Sequence, residues 1–151
     1  MNSGGLPLVP DLSKPALNKS RMRMFEPSGS GHSGKLFPQD GIVHGLAPQG
    51  APVRGPEGFK AFFQTIRGAF PDIKVTIHDT VVEGDKVAAR WSATMTHSGK
   101  GLDIPPTGKK VQTTGMLMCR IRDGQIIESW DNWDALGLKE QLGVVPQSKM
   151  V

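Results

Sequence analysis

The chain has no tyrosine, one cysteine and few aromatic residues, 6% in all. Without tyrosine, no reaction here can use a phenol as acid, base or oxyanion donor. The single Cys119 can neither close a disulfide within the chain nor build a zinc site alone, so a reducing, cytoplasmic setting is expected. No apolar run approaches the roughly 20 residues of a membrane helix, and the first residues lack the basic start and apolar stretch of a secretory signal. No membrane partner is expected. Charge is modest too: 21% of residues are charged, 18 basic against 14 acidic, for a net +4. A sequence pI of about 9.4 would suit nucleic acid. The basic residues are scattered, however, the densest pairs being Arg21/Arg23 and Lys109/Lys110. With no aromatic-interleaved basic stripe, no nucleic-acid partner is expected.

What the chain has in plenty is glycine and proline. Of its 19 glycines and 12 prolines, 9 and 7 fall in the first 55 residues, and stretches such as Pro27–Gly34 have loop composition. Residues 1–40 therefore read as an irregular segment, ordered by draping over a domain at residues 41–145 or by a partner chain, with 146–151 as a tail. A helix around Lys14–Phe25 fits the pattern only if Pro15 occupies its first turn.

From Gly55 the pattern changes. Pro56 suits a first helical turn, and Phe59, Phe62, Phe63, Ile66 and Phe70 then form one apolar stripe at a period of 3.6 until Pro71 ends it. This stripe reads as core rather than as an aromatic box for a ligand. Strands are predicted at Ile73–Val82, Lys86–His97, Val111–Arg122 and Gln125–Trp133, with turns at Glu83-Gly84-Asp85 and Asp123-Gly124. Asp134 can cap a last helix, Ala135–Leu142, ended by Gly143. One helix, four strands joined largely by hairpins and a short helix read as α+β, with a curved antiparallel sheet and helices on one side.

Several ordered motifs resemble the SnoaL-like polyketide cyclase (ester cyclase) family. They are Ala69-Phe70-Pro71-Asp72-Ile73, Glu83-Gly84-Asp85-Lys86-Val87, Thr96-His97-Ser98-Gly99 and Ile104-Pro105-Pro106-Thr107-Gly108-Lys109. Arg120–Glu128, Trp130-Asp131 and Gln141-Leu142-Gly143 complete the set, over about residues 41–143. The resemblance implies the cone-shaped nuclear transport factor 2-like fold, in which helices and a bent sheet enclose one pocket and homodimers are common. It also implies an intramolecular aldol closure on a carbonyl-bearing, polyketide-like molecule. That chemistry is of the isomerase or intramolecular lyase type and needs no cofactor or metal. The family's opening helices are replaced here by the Gly/Pro-rich segment. Its cyclases carry histidine where Leu117 stands and glutamine where Gly115 stands.

By the resemblance, Asp131 matches the catalytic aspartate. The residues add their own argument: alternation places Ile127, Ser129, Asp131 and Trp133 on one strand face. A carboxylate lining an apolar cone would have the raised pKa that general acid–base work near neutrality requires. The rival reading is a solvated acid near a strand end. Candidate substrate contacts are His44, in Val-His-Gly near the family's mouth-lining polar position, and Trp91, His97, Leu117 and Trp133. His97 could instead anchor a turn. Val87, Ala89, Trp91, Ala93, Met95 and His97 share one face, and so do Val111, Thr113, Gly115, Leu117 and Cys119.

Among the remaining residues, Asp134 reads as a cap, Cys119 as a buried hydrophobe, His78 as surface, and Arg90 as the partner of an acid such as Glu128. No two histidines stand at ligand spacing with a carboxylate between them, so no metal is expected. Trp130, Met116 and Met118 point away from the pocket face and suit a homodimer interface. A different class of function also fits: a non-catalytic small-molecule-binding or oligomerisation module on the same cone. Ketosteroid isomerase chemistry lacks its tyrosine, and epoxide hydrolysis would need Arg90 on the opposite face.

Overall fold

The structure, a computed structural model, describes residues 37–47 and 50–146. The helix considered near Lys14–Phe25 lies outside the described residues. Helix α1 spans Gly55–Ala69, with Pro56 in its first turn and Arg67 in its last. It ends where the Phe70 N–H donates to the Ile66 carbonyl at 2.8 Å, one residue before Pro71. Phe59 is buried, and Phe62, Phe63 and Ile66 pack partly buried against the same core. The phenylalanine stripe is therefore core, as its period implied.

Six strands form one sheet in the order β2-β1-β6-β5-β4-β3. Four of them lie within a residue or two of the expected spans: β3 (Lys74–Glu83), β4 (Lys86–Thr96), β5 (Lys110–Arg122) and β6 (Gln125–Trp133). They form an antiparallel meander. Between β5 and β6, Asp123 and Gly124 both take positive φ, 50° and 75°. This suits a two-residue hairpin turn whose twist matches that of the strands.

The other two strands were not anticipated. They are β1 (Ile42–His44) and β2 (Val53–Arg54). β1 runs parallel to β6, so the sheet is mixed rather than wholly antiparallel. Three residues are too few to carry an alternation, and the pairing joins segments more than 80 positions apart.

Alternation divides the sheet into two unlike faces. Val87, Ala89, Trp91, Ala93 and Met95 of β4, and Val111, Leu117, Cys119 and Ile121 of β5, are buried in one cluster with Phe59 and Phe70. Leu138 and Leu142 of helix α2 (Ala135–Leu142) join that cluster. Both helices thus cover the same, inner face. Phe37, within the segment expected to be irregular, also belongs to this core. Its ring centroid lies 4.1 Å from that of Phe59.

Two irregularities adjust the faces. In β3 the register shifts around His78. His78 is half-buried rather than a free surface residue, its Nε2 lying 2.8 Å from Ser92 Oγ. In β6 the pairing passes from Arg120–Glu128 to Ile121–Ile126, skipping Ile127. Such a bulge takes one residue out of the alternation. Ile126, not Ile127 as expected, therefore joins Ser129 and Asp131 on the buried side.

Helix α2 is tied to β5 by side chains. Gln141 Oε1 accepts from the Gln112 N–H at 2.9 Å, and its Nε2 donates to the Gln112 carbonyl at 2.8 Å. The Asp134 carboxylate accepts from the Gly137 N–H at 2.8 Å, and Gly143 ends the helix at φ 78°. Asp134 is a capping residue. Replacing Asp134 by Ala should lower stability by about 1 kcal/mol, read from chemical denaturation, because one helix-end donor loses its acceptor.

Candidate active site

Strand β6 lies inside the sheet, paired with β5 on one side and β1 on the other. Its backbone is held from both sides, so alternation dictates where each side chain points. Ser129, Asp131 and Trp133 face inward, opposite Cys119, Leu117 and Gly115 respectively. Across β5, Leu117 pairs with Ala89 and Gly115 with Trp91. Asp131 therefore sits in a row with Leu117 and Ala89, beside a row made of Trp133, Gly115 and Trp91.

The end of β1 presses on this strand. Gly45, at φ 86°, lies so close that a Cβ there would come within 1.8 Å of the Asp131 carbonyl oxygen. The Trp133 indole N–H donates to the Gly45 carbonyl at 3.2 Å. Only a residue without a side chain permits this approach. Gly45 thus pins the backbone that carries Asp131, a role for which the residues around it hold no local signal.

The Asp131 side chain is only 2% exposed, although it is a carboxyl group. Its Oδ1 is buried, and the side chains across from it in the same row, Leu117 and Ala89, are apolar. Burial among apolar neighbours disfavours the charged form and pushes its pKa from the ordinary 3.8 up to about 6, against a smaller opposing pull from the Trp91 side chain. The solvated alternative for Asp131 is excluded. Burial likewise pushes the Cys119 thiol up to about 12, so it carries no thiolate near neutrality.

Trp91, Leu117 and Trp133 stand on Asp131's face in the same or the adjacent row. Two other candidates do not join them. His44 pairs with Trp130, on the outer face. Its ring stacks on Trp130 with centroids 5.7 Å apart, and its Nε2 lies 3.0 Å from Glu128 Oε1. That corrects a second expectation as well. Glu128 serves His44, while Arg90 Nε donates to Asp79 Oδ2 at 2.7 Å across the β3–β4 pair.

His97 is fully buried but distant along the sheet. Ala89 is the β4 residue in Asp131's row, so His97 lies roughly 26 Å of strand further on, at about 3.3 Å per residue. Its Nδ1 accepts from the Thr107 N–H at 3.2 Å, and its carbonyl accepts from the Gly108 N–H at 2.8 Å. The histidine closes the loop between β4 and β5, which is the turn-anchoring role. Both misplacements have one cause: alternation and strand length locate a side chain more firmly than its neighbours in sequence do.

A bent, unclosed sheet with helices on its concave face and an acid within defines the α+β cone of the nuclear transport factor 2-like kind. Within it, the chain belongs to the SnoaL-like polyketide cyclase family, whose profile matches residues 31–142. Solved structures agree. IdmH from Streptomyces antibioticus, for which a polyketide cyclase activity has been proposed, is 37% identical. It matches over 77% of this chain and 88% of its own, with a TM-score of 0.65. A proposed polyketide cyclase from Bacillus cereus is 29% identical over 85% of this chain and 80% of its own, at a TM-score of 0.69. AclR from Streptomyces galilaeus, proposed as a hydroxylase, is 26% identical over 78% of this chain and 72% of its own, at a TM-score of 0.65. No curated protein matches significantly. Family and neighbours together support a cyclase-type role.

The burial of Asp131 has a consequence for stability. Folding lifts its pKa above the unfolded value, so the native state holds the proton more tightly than the unfolded state. The resulting stabilisation is full below about pH 4 and is lost as pH rises through about 6, an order of about 3 kcal/mol. Asp131→Asn has no such proton. Unfolding free energies of wild type and variant, measured from pH 4 to 7.5, should therefore diverge by about that amount in favour of the variant.

Proposed function

We propose that the chain is a cofactor-free cyclase acting on an apolar, carbonyl-bearing, polyketide-like small molecule, with Asp131 as its general acid–base. The ionised carboxyl removes a proton from a carbon flanked by two carbonyls. The enolate carbon then attacks a ketone or aldehyde carbon of the same molecule, forming the ring C–C bond. The new alkoxide takes the proton back from Asp131, so the residue is regenerated and nothing else is consumed.

One observation carries this reading: a carboxyl 2% exposed, its pKa raised to about 6, beside Trp91 and Leu117. A base of that strength is half ionised near pH 6 and still matched to proton transfer near neutrality. The apolar surroundings favour a substrate that is itself largely apolar.

Solvent-deuterium exchange at the carbon between the carbonyls of a 1,3-diketone that bears a pendant ketone reads the first step by NMR. Exchange should rise with pH to a plateau above about 6, and Asp131→Asn should slow it by about 10²- to 10⁴-fold. An unchanged rate in that variant would refute the assignment. The second reading, a binding module on the same cone, is favoured by the apolar Leu117 and the bare Gly115 on the wall facing Asp131. It expects the diketone to raise the melting temperature without exchange.

We also propose a cytoplasmic homodimer formed through the outer sheet face. Val81, Ala88, Met118 and Trp130 lie side by side on consecutive strands of that face. Met116 and Met118 are 60% and 41% exposed there. Such a strip favours a protein partner, and a second copy offers the matching surface. Light scattering should give twice the chain mass for wild type and the single mass for Met118→Lys.

A further inference from the structure

Asp131 and Trp91 lie on strands separated by β5, and adjacent strands are about 4.8 Å apart. A side chain on β4 can reach β6 only if the intervening residue leaves its path open. The residue opposite Trp91 on β5 is Gly115. A Cβ at that position would come within 2.5 Å of Trp91 Cζ2, 2.6 Å of Trp91 Cε2 and 2.9 Å of the Asn132 carbonyl oxygen. Of these two ring atoms, Cε2 is bonded to the indole nitrogen and Cζ2 is the next carbon of the six-membered ring. This edge of Trp91 therefore lies over the bare backbone of Gly115, close to the β6 backbone at Asn132. The indole nitrogen and Asp131 Oδ1 are both buried, and the Trp91 side chain favours the ionised form of the acid.

We infer that Gly115 and Trp91 are a positioning pair for Asp131: the missing side chain at Gly115 lets the Trp91 indole cross β5 and present its N–H to the carboxyl group on β6. This deepens the catalytic reading of Asp131 and rests on it for its functional meaning. Leu117, directly opposite Asp131, has no polar atom in its side chain. Trp91 thus supplies the donor that the facing strand does not. The indole sets two properties of the acid. It opposes the effect of burial, so that a useful fraction is ionised near neutrality, and it holds one orientation of the carboxyl group. The pair acts through Asp131 and need not touch the substrate.

The test is the titration of Asp131 itself, followed by the ¹³C shift of its carboxyl carbon. Trp91→Phe keeps a flat ring and removes the N–H. It should raise the midpoint by about one pH unit, the scale of one hydrogen bond to a carboxylate. Gly115→Ala should raise it in the same direction by displacing the indole. Added to Trp91→Phe, Gly115→Ala should change the midpoint little further, because the group it displaces is already gone. A midpoint that Trp91→Phe leaves in place or lowers would overturn the pairing. Full additivity of the two substitutions would overturn the role of Gly115.

Should Trp91→Phe not fold, the intact protein gives the same answer. The Trp91 indole N–H resonance should shift with the midpoint of Asp131 in the wild type and lose that step in Asp131→Asn. A Trp91 resonance without that step would equally overturn the proposal. None of these readings depends on turnover. If Asp131→Asn leaves deuterium exchange unchanged while the midpoint still answers to Trp91, the enzyme reading fails and the pairing stands. The reverse result separates them the other way.

Discussion

A carboxyl group stays in an apolar interior only when the backbone gives it no other place to go. Strand β6 meets that condition. It is paired on both edges, parallel to β1 and antiparallel to β5, so it cannot rotate to release Asp131 into water. Gly45 closes against the Asp131 carbonyl, and the Trp133 indole bonds back to Gly45. The energy of the whole fold thus bears on the protonation of one side chain. Natural sites often hold such destabilised groups, because the same burial that weakens the fold makes the group a stronger base.

The two faces of the sheet divide the work. The inner face is largely apolar and joins both helices in one core. The outer face carries the charged and half-exposed pairs, Arg90 with Asp79 and His44 with Glu128, along with the methionines. Two bulges keep this division intact. At His78 and at Ile127 the strand absorbs one extra residue, so that Val75 and Ile77 on β3, and Ile126 on β6, still meet inner-face partners. Without the shift in β6, the hairpin at Asp123-Gly124 and the site at Asp131 could not both have their side chains on the required faces.

Much of this was legible in the residues. Helix α1 announced itself by its phenylalanine period and by Pro56 and Pro71, the meander by β-branched runs between turn signals, and helix α2 by Asp134 and Gly143. Asp131's inward direction followed from alternation over a strand long enough to count. The misreadings have equally physical causes. The motif around His44 points to the mouth of the cone, but a three-residue strand shows its face only through its partner. His97 shared the correct face of β4, yet strand length carries it far from Asp131 and into the loop it closes through Thr107. Arg90 found its acid on the adjacent strand rather than two strands away.

Local chemistry in the sequence determined the elements, the inner and outer sets of side chains, and the family, because period, turn residues and caps act over a few positions. Tertiary structure decided what those elements do together. The parallel pairing of β1, the crossing of Trp91 over Gly115 and the closure of Gly45 on Asp131 all join residues distant in sequence. Each depends on how close two backbones come once packed, a distance that no local pattern encodes.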